Sequence, residues 1–137
     1  MTDTPTTPTI FNPAHLHDPT LNGYSTAVIT SGNGRLAFIS GQGGQDHTGG
    51  LSPDFAEQVA QAYVTLGAVI EALGAQPQHV VKLTVYVVDY DMSKLGVLTE
   101  NVTRMFGATL PAQTLVPVPK LAVDGMLFEV EAIAVLD

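Results

Sequence analysis

The side chains able to do chemistry in this sequence are few, and all of them act through oxygen or nitrogen. The 137-residue chain has no cysteine, which removes disulfides, thiolate nucleophiles and Cys-type zinc sites together. The leading candidate is Glu129, two residues before Glu131 in the run Phe128-Glu129-Val130-Glu131-Ala132-Ile133-Ala134. A carboxyl placed among apolar neighbours can move protons between water and a reacting nitrogen, which is general acid–base work. On the residues alone, the plainer alternative is that both glutamates face solvent or pair with Lys82. Gln113 and Thr114 follow Pro111-Ala112, and a glutamine amide offers a donor and an acceptor at once. Tyr24 can stack on an unsaturated ligand or hydrogen-bond it, and it reads nearly as well as a core tyrosine.

Three other chemistries are argued against by spacing. His15-x-His17, with His47 and His79 elsewhere, is too loose for a metal centre and lacks the clustered carboxylates that would complete a ligand set. No metal or other cofactor is therefore expected. Gly41, Gly43 and Gly44 could suggest a phosphate cradle, but no Gly-Lys-Ser/Thr ending follows them. Ser40 has no strand-to-helix elbow and no partnered base, so acyl transfer is not expected.

The elements that must position these groups follow from periodicity. Residues 1–9, rich in Thr and Pro, read as a flexible arm, with residues 10–137 forming a single domain. Tyr24 to Ser31 and Leu36 to Ser40 read as two strands of a hairpin turning at Ser31-Gly32-Asn33-Gly34. The glycine-rich stretch 41–50 is a loop whose backbone can approach a ligand. Phe55, Val59, Ala62, Tyr63, Leu66, Val69, Ile70 and Leu73 form the stripe of a helix, with Ser52 as its cap, Pro53 at its first position and Gly74 just past its end. Val80–Val88 alternates as a strand, with Val81, Leu83, Val85 and Val87 on one face. Ser93–Phe106 reads as a second helix stopped by Gly107. Two more strands are expected at Ala112–Val118 and Met126–Leu136, with a turn at Asp124-Gly125.

The order β-β-α-β-α-β-β predicts an α+β, two-layer sandwich: a mixed sheet with both helices on one face. In the last strand, Phe128, Val130, Ala132 and Ala134 make one apolar face, while Ile133 and Val135 share the other with the glutamates. A sheet apolar on both sides needs cover on both, so packing against further subunits is expected. Surface scaling gives about 21,000 Å² for the extended chain and about 7,000 Å² for the folded one, enough burial for a core without staples. Five Lys and Arg against thirteen Asp and Glu leave a formal charge of −8. That balance speaks against nucleic acid, whose binding rests on basic side chains releasing counterions. No apolar run has membrane-spanning length, and the first ten residues lack the features of a secretory signal, so a cytoplasmic protein with no membrane partner is expected.

These residues resemble the Rid (YjgF) family of small trimeric proteins. The matches are Asn22-Gly23-Tyr24-Ser25, Phe38-Ile39-Ser40-Gly41-Gln42, Val80-Val81-Lys82-Leu83-Thr84-Val85-Tyr86, Leu110-Pro111-Ala112 and Phe128-Glu129-Val130-Glu131-Ala132-Ile133-Ala134. The resemblance implies a chorismate-mutase-like fold and a homotrimer with small-molecule clefts between adjacent subunits. Members of the best-known type hydrolyse reactive enamines and imines, such as those made from 2-amino acids, to a 2-oxo acid and ammonia without a metal. It further implies that Glu129 positions the attacking water, that Tyr24 lines the cleft and that the backbone of Gly41 lies beside the ligand.

Three departures from the family pattern stand out, one of them the pair Asn22-Gly23 where the family has Gly-Pro before the Tyr. Gln113 stands where those deaminases carry an Arg that binds the substrate carboxylate, and Thr99 falls where they often have Asn. An arginine gives a carboxylate two charge-assisted bonds of about 1.5–3 kcal/mol each, against one of about 0.5–1.5 kcal/mol from a neutral amide. The deficit of roughly 2–5 kcal/mol is about 30-fold to several thousand-fold in affinity. The expected reading is thus an atypical branch: a deaminase whose substrate is not a 2-imino acid, with Gln113, Thr114 and Thr99 contacting it. Lys120 or Arg35 would be the replacement cation if a loop brought either close. The alternative is a trimer that binds or senses a small metabolite without turnover.

Overall fold

The computed structural model describes residues 8–30 and 34–136. Most of the expected arm, residues 1–7, and most of the expected turn, residues 31–33, lie outside the described residues. Thr9, the arm's last residue, belongs to strand β1 (Thr9–Phe11), which pairs antiparallel with β2 (Ala27–Ile29). The main sheet has four strands in the order β3-β6-β4-β5, formed by β3 (Arg35–Gly43), β6 (Phe128–Leu136), β4 (Val80–Val88) and β5 (Ala112–Val118). The β4–β5 pair is parallel and the others are antiparallel. Helices α1 (Phe55–Ala72) and α2 (Leu95–Phe106) complete the expected two-layer α+β sandwich with a mixed sheet.

The core lies between the layers. Leu83, Val85 and Val87 of β4 and Phe128, Val130, Ala132 and Ala134 of β6 are buried against Val59, Ala62, Leu66 and Ile70 of α1 and Leu98, Val102 and Phe106 of α2. Burying each large side chain contributes about 1.5–3 kcal/mol. Tyr63 stacks on Phe128, ring centroids 5.9 Å apart, with its hydroxyl buried and unpaired. Burial in this apolar setting pushes the Tyr63 phenol far up from its ordinary pKa.

Four expectations need correction, the first being that Gly41–Gly43 belong to β3 and not to the loop expected over 41–50. The hairpin between 24–31 and 36–40 is not what the described residues form: β2 pairs with β1, and β3 pairs with β6. The reason is visible at Ser25, whose N–H donates to Pro111 O at 3.0 Å and which bridges Ala112 in parallel. The approach to β2 is thereby tied to β5, at the sheet edge opposite β3. Helix α1 starts later than expected, capped by Asp54, whose Oδ2 accepts from Glu57 N at 3.0 Å. A carboxylate here satisfies the free amides and suits the positive end of the helix dipole. The serine expected as cap, Ser52, instead accepts from Asp54 N at 3.1 Å. A bulge between Val80 and Lys82 turns Val80 into the core at 2% exposure, where the simple alternation placed Val81. The helix ends match the reading: Gly74 and Gly107 have φ of +75° and +57°, a region glycine enters without cost.

Candidate functional site

The sequence-derived candidates fall into two groups on opposite faces of one sheet. Gln113 pairs with Leu83 and Leu115 with Val85, so their side chains share the helix-facing side of the sheet. Tyr24 is brought to the same edge by the segment before it. In the turn Pro19–Asn22, Asp18 Oδ1 accepts from Thr20 N at 3.0 Å, and Gly23 closes the turn with φ +78°. A Cβ on Gly23 would lie 2.5 Å from Val102 Cγ1, so glycine also allows the turn to seat on α2. Ser25 then locks the chain to β5, its hydroxyl donating to Leu110 O. Thr99, one turn into α2, donates from Oγ1 to Asn22 O at 3.4 Å.

Tyr24, Thr99 and Gln113 consequently line one cavity of about 320 Å³. Val85, Leu95, Leu98 and Leu115 supply its apolar wall, and Asn22 and Tyr90 complete it. No ionisable carboxylate, lysine or arginine is among its lining residues. Of the proposed replacement cations, Lys120 pairs with Asp124 at 2.9 Å and Arg35 lines a separate small cavity with His79 and Leu136. Neither lines the space beside Gln113.

The second group lies on the open face. Glu129 pairs with Tyr86 and Gly43, and Glu131 with Thr84. Glu129 is half-buried, and a Cβ added to Gly41 would sit 2.0 Å from its Oε1 and 2.4 Å from its Cδ. The missing side chain at Gly41 is what makes room for the Glu129 carboxyl. Its neighbour Glu131 accepts a 2.8 Å hydrogen bond from Tyr86 Oη, and donating to that carboxylate raises the Tyr86 pKa. Thr114 belongs to this face too: it pairs with Thr84, and Lys82 Nζ donates to its Oγ1 at 2.9 Å. Of the six candidates, then, three line the edge cavity, Gly41 and Glu129 meet on the open face, and Thr114 stands with Lys82 rather than with Gln113.

Several contributors escaped the sequence reading. Tyr90 reaches the cavity because Asp89 adopts φ +54°, and Lys94 Nζ fixes that bend by donating to the carbonyl of Asp89 and, at 3.4 Å, to that of Val88. His17 Nε2 and Tyr24 Oη share a 2.8 Å hydrogen bond. Gln58 is fully buried on α1 and holds the approach to β6: its Nε2 donates to Ser52 O at 2.7 Å and Gly125 O at 2.9 Å, while its Oε1 accepts from Leu127 N at 2.8 Å. A polar residue at the inward-facing spacing of a helix, four before Ala62, was the available signal for Gln58. Among the described residues, no three His, Asp or Glu side chains are grouped to hold a metal ion.

A two-layer α+β chain with an apolar edge cavity and a glycine-seated carboxyl on the reverse of its sheet defines a class, and comparison with known proteins names it. Residues 16–136 match the family model described as Endoribonuclease L-PSP. A 2-iminobutanoate/2-iminopropanoate deaminase of Rattus norvegicus is 36% identical over 117 residues, covering 84% of this chain and 81% of the relative. A RutC family protein of Pyrococcus horikoshii is 35% identical over 113 residues, 81% of this chain and 85% of its own. Among solved structures, a Rid-family protein of unknown function from Yersinia pestis superposes with a TM-score of 0.90 at 30% identity, covering 95% of this chain and 99% of that one. RidA from the Antarctic bacterium Psychrobacter superposes with a TM-score of 0.67 at 32% identity over 91% and 94% of the two chains. The chain belongs to the Rid (YjgF) family.

Proposed function

We propose that the protein is a cytoplasmic homotrimeric deaminase that hydrolyses a neutral enamine or imine in clefts between subunits. The observation that carries this reading is the split of the candidate residues between two faces. Strand β4 separates β5 from β6, which puts Gln113 and Glu129 about 10 Å apart across the sheet as well as on opposite sides of it. A cleft holding both groups takes the edge cavity of one copy and the open face of another. The open face is suited to such contact: Leu36 and Phe38 are 57% and 74% exposed there, beside half-buried Ile133 and Val135. An apolar patch of that kind marks an association surface.

In the reaction, water adds to the C=N carbon, Glu129 takes the water's proton, and the nitrogen gains one. The resulting carbinolamine collapses to C=O as the C–N bond breaks, and ammonia leaves with a proton returned through the same carboxyl. The relatives named as 2-iminobutanoate/2-iminopropanoate deaminases support the reaction class. Gln113, with no cation lining the cavity beside it, supports a substrate lacking a carboxylate. The apolar wall and the −8 charge favour a small neutral ligand over RNA.

The test has two parts. Sedimentation should give three times the 14.4 kDa of one chain, and a monomer at working concentration would overturn the cleft. Ammonia release should be faster with neutral imines, generated in place from amines, than with 2-iminopropanoate. Efficient turnover of 2-iminopropanoate would refute the substrate assignment, and tight binding of neutral compounds with no ammonia formed would make the protein a binder.

A further inference from the structure

The edge cavity does not end at its mouth. Asn22, Leu95 and Thr99 line it and also line an open groove of about 740 Å³ on the outer side of α2. The two rims of this groove are Leu21, 77% exposed, and Met92, 79% exposed. Apolar side chains so far in water cost free energy unless something covers them. Both are also fixed in place rather than left on loose chain. Leu21 sits in the turn capped by Asp18, and Met92 opens a turn in which Asp91 Oδ1 accepts from Ser93 N at 2.8 Å. Bonding to Thr20 and Ser93, respectively, holds the Asp18 and Asp91 carboxyls below their ordinary pKa, so both caps are charged at neutral pH. Arg104 and Glu100, which also line the groove, pair with each other at 2.6 Å. The pair adds no net charge to the groove.

We infer that the ligand whose polar head meets Gln113 carries an apolar substituent extending past Thr99 into the groove between Leu21 and Met92. The inference rests on reading Tyr24, Thr99 and Gln113 as the ligand-binding group, and it adds the chemical class: a neutral imine or enamine on an alkyl or similarly apolar chain. Continuity of the groove with the cavity selects this occupant.

The probe is a homologous series of primary amides from acetamide to octanamide, with the matching carboxylates, titrated calorimetrically into the assembled protein. Each methylene moved from water to the groove should tighten binding about twofold to fourfold. The double substitution Leu21→Glu and Met92→Glu should flatten that dependence for the longer amides. Val64→Glu, on the outer face of α1 at 65% exposure and outside both cavities, controls for added surface charge and should preserve it. Amides that bind equally at every length overturn the groove while leaving the cavity intact. Carboxylates that bind as well as amides, or amides that fail to bind at any length, overturn the cavity reading and the inference with it.

Discussion

The edge cavity and the Glu129 seat are built on opposite plans. The cavity walls come from five places, the turn at 19–24, the bend at 89–90, α2, β4 and β5, and its polar groups are neutral. The seat comes from two adjacent strands, with a carboxyl lodged in the space a glycine leaves. One region has many adjustable walls and the other almost none. On the proposed function, such a division separates what is bound from what is done to it: a wall residue such as Gln113 can vary without disturbing the strand that carries the carboxyl.

The sharpest way to break the comparison is at the seat. Glu129→Gln keeps the shape and removes the proton acceptor, so ammonia release should fall by about 10²- to 10⁴-fold with the trimer intact. An unchanged rate would remove Glu129 from the chemistry. Gly41→Ala is a subtler attack, because its Cβ would collide with the Glu129 side chain from Oε1 back to Cγ rather than with backbone. The carboxyl can swing away, so the variant should fold, and its melting temperature should stay within a few degrees. Turnover should nevertheless drop by roughly 10- to 100-fold, the scale of loss that misplacing a reacting group by about 1 Å produces. Affinity for the amide probes should change less than turnover in both variants, since neither alters the cavity wall.

The two plans were not equally legible in the sequence. Strand β4 beyond its bulge and the end of α1 followed from alternation, three-and-four spacing and Gly74, because local pattern and final burial agree there. The motif around Glu129 places it on its strand, whereas Gly41, expected to open a loop, belongs to β3. The cavity was only partly readable. Gln113 and Thr114 are adjacent in sequence and were grouped as one contact, yet a strand sends neighbours to opposite faces, and Thr114 stands with Lys82. Tyr90 depends on the left-handed bend at Asp89, and no short-range pattern announces it. The expected hairpin failed at Ser25, where a long-range bond to the chain 85 residues away outweighs local strand preference.

The smallest effect should come from the hydrogen bond that holds Tyr24. His17 lies outside the cavity lining, so it touches the ligand only through the tyrosine whose hydroxyl it partners at 2.8 Å. His17→Phe preserves a ring in the tilted contact, 6.4 Å between centroids, and deletes the bond. An intramolecular hydrogen bond contributes about 0.5–1.5 kcal/mol to stability, which bounds how firmly it can hold Tyr24, so hexanamide should bind at most about 12-fold more weakly. A purely structural role for His17 would act whether or not residue 24 has a hydroxyl; a positioning role would not. The discriminating measurement is therefore a double-mutant cycle. If His17 works by orienting the Tyr24 hydroxyl, His17→Phe should cost nothing further in a Tyr24→Phe background, and equal losses in both backgrounds would show that it acts by another route.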